Sequence, residues 1–386
     1  MYKLVSQLTL IRHLKWFPDL SAGKLRTDFR CLVLFLVLAA CSAPPELIGI
    51  ENPKVPRGAV VGGTAQKVFI ATTRQRSDKP GALYSGERSR VLNFASVDVL
   101  IPPTHVVGQI ERPKRLPPDP RKEFAVVDPV LHSSGPNFAG VVNEALSAFP
   151  AGKRNILVFV HGYNTTTSDT VLRVAQFIED SGYEGVPIIF DWASAGQTTK
   201  YLYDMNSALV ARENIPALIE VLSRTKAENV DIFAHSMGTL LAMEGLLDYK
   251  QKGLPGEPEK LGGIILASPD IDLDLFRSQL RQQGDSFDIF VLLSQDDRAL
   301  SFSRFIAGGV PRVGAAATEE LTGLGVVVLD LTEVESGGLQ HSKFADSPEV
   351  VQLIGQGLNQ VSNFDYAEGS DILGILLKAT PIDVAF

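Results

Sequence analysis

The 386-residue sequence predicts an α/β fold, a mainly parallel central sheet with helices on both faces and antiparallel edge strands at the N-terminal side. Three observations lead there. Short apolar runs recur from "NILVFV" (155–160) to "VVVLDL" (326–331). Segments of helical period lie between most of them. The runs are apolar along their whole length, the pattern of strands buried on both faces of a sheet. A hydrophobic content of 45% supplies the core such a sheet needs.

The first element, residues 1–41, reads as a targeting segment. "CLVLFLVLAAC" (31–41) is shorter than the roughly 20 apolar residues that span a bilayer. It has the length of a signal h-region, and basic residues precede it. "LAAC", ending at Cys41, resembles the lipobox of bacterial lipoproteins. That resemblance implies cleavage before Cys41 and lipidation of its thiol, hence membrane attachment through the N-terminal lipid. An uncleaved anchor and an ordinary signal peptide are the alternatives. Ser42 is similar to the next position in outer-membrane lipoproteins, which implies the periplasmic face of the outer membrane in a bacterial envelope.

Residues 42–66, rich in Pro and Gly, read as a flexible tether, and 67–362 as one catalytic domain. "KVFIATTRQ" (67–75) and "LNFASVDVLIP" (92–102) are the edge strands, and the proline-rich 102–129 is a long loop. Then the rhythm begins. Strands are expected at 155–160, 186–190, 230–234, 262–268, 287–293 and 326–331. Helices are expected at 168–180 with Ser168 as N-cap, then at 204–224, 239–250, 272–282 and 347–358. Residues 363–386 form a C-terminal tail, expected to pack on the body rather than enter a membrane.

Charge and cysteine usage exclude several functions. Beyond residue 41 the chain has 30 basic and 42 acidic residues, a formal charge of −12. A body that acidic is a poor partner for nucleic acid or for a negative membrane surface, both of which attract Lys and Arg. Both cysteines, Cys31 and Cys41, precede the body, which therefore has no thiol chemistry and no cysteine metal site. No phosphate loop, dinucleotide fingerprint or paired metal-spaced histidines occur, so no cofactor and no metal are expected.

The chemistry centres on "VDIFAHSMGTLLAME" (230–244). A strand stops at Ser236 and a helical pattern follows, the setting of a tight turn that exposes a nucleophile. Ala234 and Gly238 bracket the serine because two backbones approach closely there. Serine needs a base, and the order on such sheets is serine, acid, histidine. Of the six histidines only His341 follows Ser236. The acid is expected after the strand ending at Leu293, where "SQDDRAL" offers Asp297, the favoured residue, and Asp296. Asp270 and Asp272 in "ASPDIDLD" are a third option. The oxyanion donors are expected to be the backbone N–H of Met237 and of Tyr163, in the loop "VFVHGYN" (158–164). His161 in that loop reads as a shaping residue, and His235 as structural. Trp192, Tyr201 and Tyr203 are open between lining an acyl pocket and packing a loop.

Together "FVHGYN", "FDWASAG" (190–196), "AHSMGT", "SPDID" (268–272), "SQDDRAL" and "HSKFADSP" (341–348) resemble a bacterial family of esterase/lipase-like α/β-hydrolases of largely undefined substrate. "VFIATTRQ" and "VDVLIPPTHVVGQIE" (97–111) are similar to its edge strands, so the likeness runs from about residue 66 to 360. Ala193 departs from it, since the family more often has proline after the tryptophan. The resemblance implies an α/β-hydrolase fold and a serine esterase with Ser236, Asp297 and His341 as triad, acting on a small-molecule or lipid ester. A non-catalytic hydrolase-like lipoprotein that binds an envelope partner, and a peptidase on the same scaffold, are the competing readings.

Overall fold

The computed structural model describes residues 44–253, 260–284, 286–360 and 383–385. The targeting segment with Cys41 and most of the tail, 363–382, lie outside the described residues. Along the chain come β1 (Thr64–Arg76), β2 (Tyr84–Ile101), β3 (Ala125–His132), α1 (Gly135–Leu146), β4 (Asn155–Val160), α2 (Thr167–Ser181) and β5 (Val186–Asp191). There follow α3 (Tyr201–Ala211), α4 (Ile215–Ser223), β6 (Asn229–His235), α5 (Met237–Lys252), β7 (Leu261–Ala267), α6 (Leu273–Gln283) and β8 (Ile289–Leu293). The last are α7 (Arg298–Ile306), β9 (Val327–Asp330), α8 (Lys343–Asp346), α9 (Pro348–Gln360) and β10 (Asp383–Ala385).

The described strands form one sheet in the order β10-β9-β8-β7-β6-β4-β5-β1-β2-β3. β1 runs parallel to β5, and β4 through β9 pair in parallel. β1–β2, β2–β3 and β9–β10 are antiparallel. This is the α/β-hydrolase fold, with its antiparallel strands at the N-terminal side as expected and one more at the far edge.

Every residue of β4 is buried because the sheet is covered twice. Ile156, Val158 and Val160 face one layer, which holds Phe138 of α1, Leu218 of α4 and Leu241 of α5. Leu157 and Phe159 face the other, with Phe177 of α2 and Val351 of α9. The chain passes from β4 to β5 on one side and then returns to β6 on the other. Order reverses between β4 and β6, and in such sheets ligands bind beyond the carboxyl ends of the strands at that point.

Four local expectations are corrected. Residues 125–129, the end of the segment read as loop, belong to β3 (Ala125–His132). Its Pro129 is tolerated because β3 is the edge strand, and Asp128 at φ 49° makes the irregularity beside it. The single helix expected at 204–224 is two, parted by a 3-10 turn at Arg212–Asn214, with Pro216 opening α4. Thr166, not Ser168, caps α2, in a reciprocal capping box with Asp169. The Ser168 hydroxyl instead accepts the Leu47 N–H at 3.1 Å. Leu47 and Ile48 are buried and Ile48 bridges to Gly81 and Val126, so part of the segment read as tether is anchored on the sheet.

Candidate active site

Ser236 sits between β6 and α5 with φ 55° and ψ −125°, a conformation rare for a residue with a side chain. Its own backbone N–H and carbonyl are both engaged. Its N–H donates to Ala267 O at 2.9 Å on the neighbouring strand, and its carbonyl accepts from Thr239 N at 3.0 Å and Thr239 Oγ1 at 2.6 Å. Among the described residues its hydroxyl has no hydrogen-bond partner. The turn holds because α5 and the loop after β4 nearly touch. A Cβ on Gly238 would lie 2.4 Å from the His161 carbonyl oxygen, and one on Gly162 would lie 2.8 Å from Ser236 Cβ. Ala234 is wholly buried in β6, so its methyl is accommodated.

His341 is brought to the same place by its main chain. Its carbonyl accepts from His235 Nε2 at 3.1 Å and from Ser268 Oγ at 3.1 Å. The His235 and His341 rings lie 4.8 Å apart, and Phe344 packs on the former. Burial pushes His235 well below the usual histidine value, with the nearby His341 adding to the effect, so His235 is neutral. Asn164, Ser236, Ser268 and Gln340 all have positive φ, and each flanks or belongs to this cluster. Strain of that kind gathers where a site needs it.

Among the three acid options, the carboxylate beside His341 is Asp297, whose Oδ2 is 2.6 Å from His341 Nδ1. Its other oxygen accepts the Leu300 N–H at 2.9 Å and caps α7. Asp296 turns away to Lys343 Nζ at 2.8 Å. Burial raises its pKa, and the Lys343 ammonium and Ser294 hydroxyl outweigh that and hold it low. Asp270 accepts from Tyr201 Oη at 2.9 Å, receives the Ser303 hydroxyl and lies 3.3 Å from Arg312 Nε. Asp272 caps α6.

The loop carrying Gly162 and Tyr163 lies over Ser236, as its contact with Ser236 Cβ requires. Among the described residues neither the Tyr163 nor the Met237 N–H finds an acceptor. His161 shapes this loop. Its Nδ1 hydrogen-bonds the Gly162 carbonyl at 2.8 Å, and its ring stacks on Trp192 at 4.9 Å, while Trp192 Nε1 donates to the His161 carbonyl at 2.7 Å. Trp192 is therefore packing, not pocket lining. Tyr203 also faces elsewhere, donating to the Gly86 carbonyl at 2.9 Å beneath Arg88. Tyr201 stays at the site through Asp270 and its edge contact with Tyr163 at 5.3 Å.

Two groups escape a sequence reading. Arg74 of β1 is buried, and its Nε donates to Asp191 Oδ1 at 2.8 Å. Its Nη atoms donate to the carbonyls of Ser194 and Thr165, both at 2.7 Å. Asp191 lies 3.2 Å from His161 Nε2 and accepts from Thr167 Oγ1 at 2.8 Å. Burial raises the Asp191 pKa, but Arg74 and His161 overcome this and hold it low, so the carboxylate is ionised. Asp204 of α3 accepts from Asn164 N at 3.0 Å, Ala195 N at 2.7 Å and Ser194 Oγ at 2.6 Å. Two buried carboxylates thus stitch the loop over Ser236 to the loop after β5. The one signal for Arg74 in the sequence was an arginine inside an otherwise strand-like run. Among the described residues no cluster of His, Cys, Asp and Glu is arranged to hold a metal ion.

Among solved structures, the chain is similar to a hyperthermophilic esterase from the archaeon Pyrobaculum calidifontis. The identity is 13%, the TM-score 0.34, and 90% of this chain and 93% of that one are covered. A thermostable carboxylesterase from a metagenomic library is 11% identical with a TM-score of 0.34, covering 88% and 97%. A thermostable esterase from Pseudomonas putida is 12% identical with a TM-score of 0.34, covering 87% and 88%. Likeness at that level carries no argument about activity. No curated protein matches the chain. Residues 140–357, which contain Ser236, Asp297 and His341, match the family described as alpha/beta hydrolase of unknown function, DUF900, and the chain belongs to that family.

Proposed function

We propose that this protein is a serine hydrolase that cleaves a carboxylic ester through an acyl-enzyme. The observation that supports it most is the 2.6 Å contact of Asp297 with His341, near a strained serine whose hydroxyl has no partner among the described residues. Ser236 Oγ attacks the ester carbonyl carbon while His341 Nε2 takes its proton. The alcohol leaves with that proton, and water then attacks the acyl-enzyme with His341 as base. Asp297 accepts from Nδ1–H throughout, fixing the tautomer and stabilising the imidazolium. The N–H groups of Met237 and Tyr163 hold the oxyanion, each contributing about 3 kcal/mol. The Ser236 and His341 side chains close to bonding distance once substrate is bound, as apo catalytic contacts are commonly long.

Lipid attachment through Cys41, in the bacterial envelope at the outer membrane, is part of the same proposal. It rests on the sequence alone: the apolar run 31–41 behind basic residues, "LAAC", and Ser42 for the outer membrane. Incorporation of labelled fatty acid that persists in Cys41→Ala would exclude it.

A fluorophosphonate probe should label the wild type and not Ser236→Ala. Equal labelling of both, or of neither, rejects the triad. Esters of graded acyl length, set against peptides, then separate an esterase from a peptidase.

A further inference from the structure

Helix α7 turns an apolar face to water. Leu300 and Ser303 point inward, and Phe302, Phe305 and Ile306, spaced i, i+3 and i+4, share the outer side. Phe305 is 81% exposed and Phe302 58%. A single exposed apolar side chain is ordinary, but three together on one short helix form a patch that wants a partner. The patch extends at both ends. The Arg298 N–H donates to the Leu339 carbonyl at 3.1 Å, and Leu339 is 59% exposed. The Ser303 hydroxyl meets Tyr201 Oη at 2.9 Å, and the next residue, Leu202, is 66% exposed.

The position of this surface is informative. Asp297 caps α7, and Leu339 lies two residues before His341, so the apolar face adjoins the segments that carry the candidate acid and base. So is its charge. Residues 298–318 contain no Asp or Glu, and with Arg312 buried against Asp270 the local cations are Arg298 and Arg304, an exception in a body of formal charge −12. Arg298 and Arg304 are exposed on α7 itself. A short helix that offers aromatic side chains with arginines beside them fits a membrane interface, with apolar groups entering the acyl boundary and cations meeting phosphates. A second copy packed symmetrically, α7 on α7, would bring these arginines together and is disfavoured.

We propose that this face docks on a bilayer containing anionic phospholipid, with Phe302, Phe305 and Ile306 inserted and Arg298 and Arg304 at the lipid phosphates. The docking brings the segments that carry Asp297 and His341 toward the lipid, and it holds whether or not Ser236 is the nucleophile, because α7 takes no part in the chemistry beyond being capped by Asp297.

The test uses the full chain with Cys41→Ala and Phe305→Trp, mixed with vesicles brominated on the acyl chains. The signal of the introduced tryptophan is the difference from the same chain with Phe305 kept. Vesicles of phosphatidylcholine with phosphatidylglycerol should quench it. Phosphatidylcholine alone should need several-fold more lipid, as should the anionic vesicles when Arg304→Glu is added. No quenching by either vesicle overturns the proposal, even if the protein is vesicle-bound, because α7 is then not the contact. Shielding of the indole from iodide before lipid is added also overturns it. Such shielding identifies a second copy as the occupant if it depends on protein concentration, and another segment of this chain if it does not.

Discussion

His235 Nε2 donates to the main-chain carbonyl of His341 at 3.1 Å, so the residue before the candidate nucleophile holds the loop that carries the candidate base. Replacing His235 by Phe keeps the ring volume and removes the donor. A displacement of His341 of about 1 Å is enough to cost roughly 100-fold in kcat. We expect His235→Phe to slow fluorophosphonate labelling by about 10- to 100-fold, with KM for a short-chain ester little changed. His235→Gln, which can still donate, should recover part of the rate. Wild-type labelling in His235→Phe would mean that Ser268 alone suffices to place His341.

Asp297 and Asp296 are adjacent in sequence but face different partners, so they make a sharp comparison. Asp297→Asn should lower kcat by about four orders of magnitude, because the amide favours the wrong His341 tautomer. Asp296→Asn should keep near-wild-type labelling and lose about 1 kcal/mol of stability, since Asp296 is half-exposed and Lys343 retains two backbone carbonyls. The reverse pattern in urea titrations and labelling rates would exchange their roles.

The two small residues of the elbow are not equivalent. Gly238 faces the His161 carbonyl, where a Cβ would stand at 2.4 Å, and Ala234 already has a Cβ that fits. Gly238→Ala should therefore leave little folded protein. Ala234→Gly should fold, label normally and lose about 1 kcal/mol, the entropic cost of glycine within a strand. A gain in activity with Ala234→Gly would mean that the methyl constrains the turn after all.

The sheet was legible because each central strand is buried on both faces, and a run such as "NILVFV" has no other reading at that length. The pairing of Asp297 with His341 was legible because the order of the two follows from the order of the strands that carry them. What failed depended on tertiary position. Whether Pro129 breaks a strand depends on its lying at an edge, and Leu47 and Ile48 read as tether until Ser168 meets the first and Gly81 the second. Arg74 and Asp191 are 117 residues apart, and nothing in either segment announces a buried pair.

That pair gives a further expectation. Arg74→Ala leaves an ionised Asp191 buried against His161 and frees the Thr165 and Ser194 carbonyls. Breaking a buried pair from one side costs about 3–5 kcal/mol. Arg74→Lys should recover only a part, since an ammonium cannot span Asp191 and both carbonyls as the planar fork does. Both variants should slow labelling at temperatures where they stay folded, because the loop over Ser236 loses its support. Urea unfolding together with labelling rates measures the two effects, and a stable, fully reactive Arg74→Ala would dismiss the network as a positioning device.

His105 lies far from the chemistry and tests the electrostatics of the packing between the long loop and α2. Its ring contacts Glu111 Oε2 at 2.7 Å and Asp180 Oδ1 at 2.8 Å. Burial lowers its pKa, but the two carboxylates outweigh burial and the net shift is upward. The folded state therefore binds the proton more tightly than the unfolded chain, whose value is about 6.5. The stabilisation is fully present below that value and is lost as pH rises through the higher folded value. We expect wild type to exceed His105→Gln by about 2 kcal/mol near pH 5.5, as for hydrogen bonds to a charged group, and the gap to narrow on the alkaline side. Urea titrations of both proteins across that range measure the gap, and a gap that is flat or widens with pH would mean that His105 is held neutral between the two carboxylates.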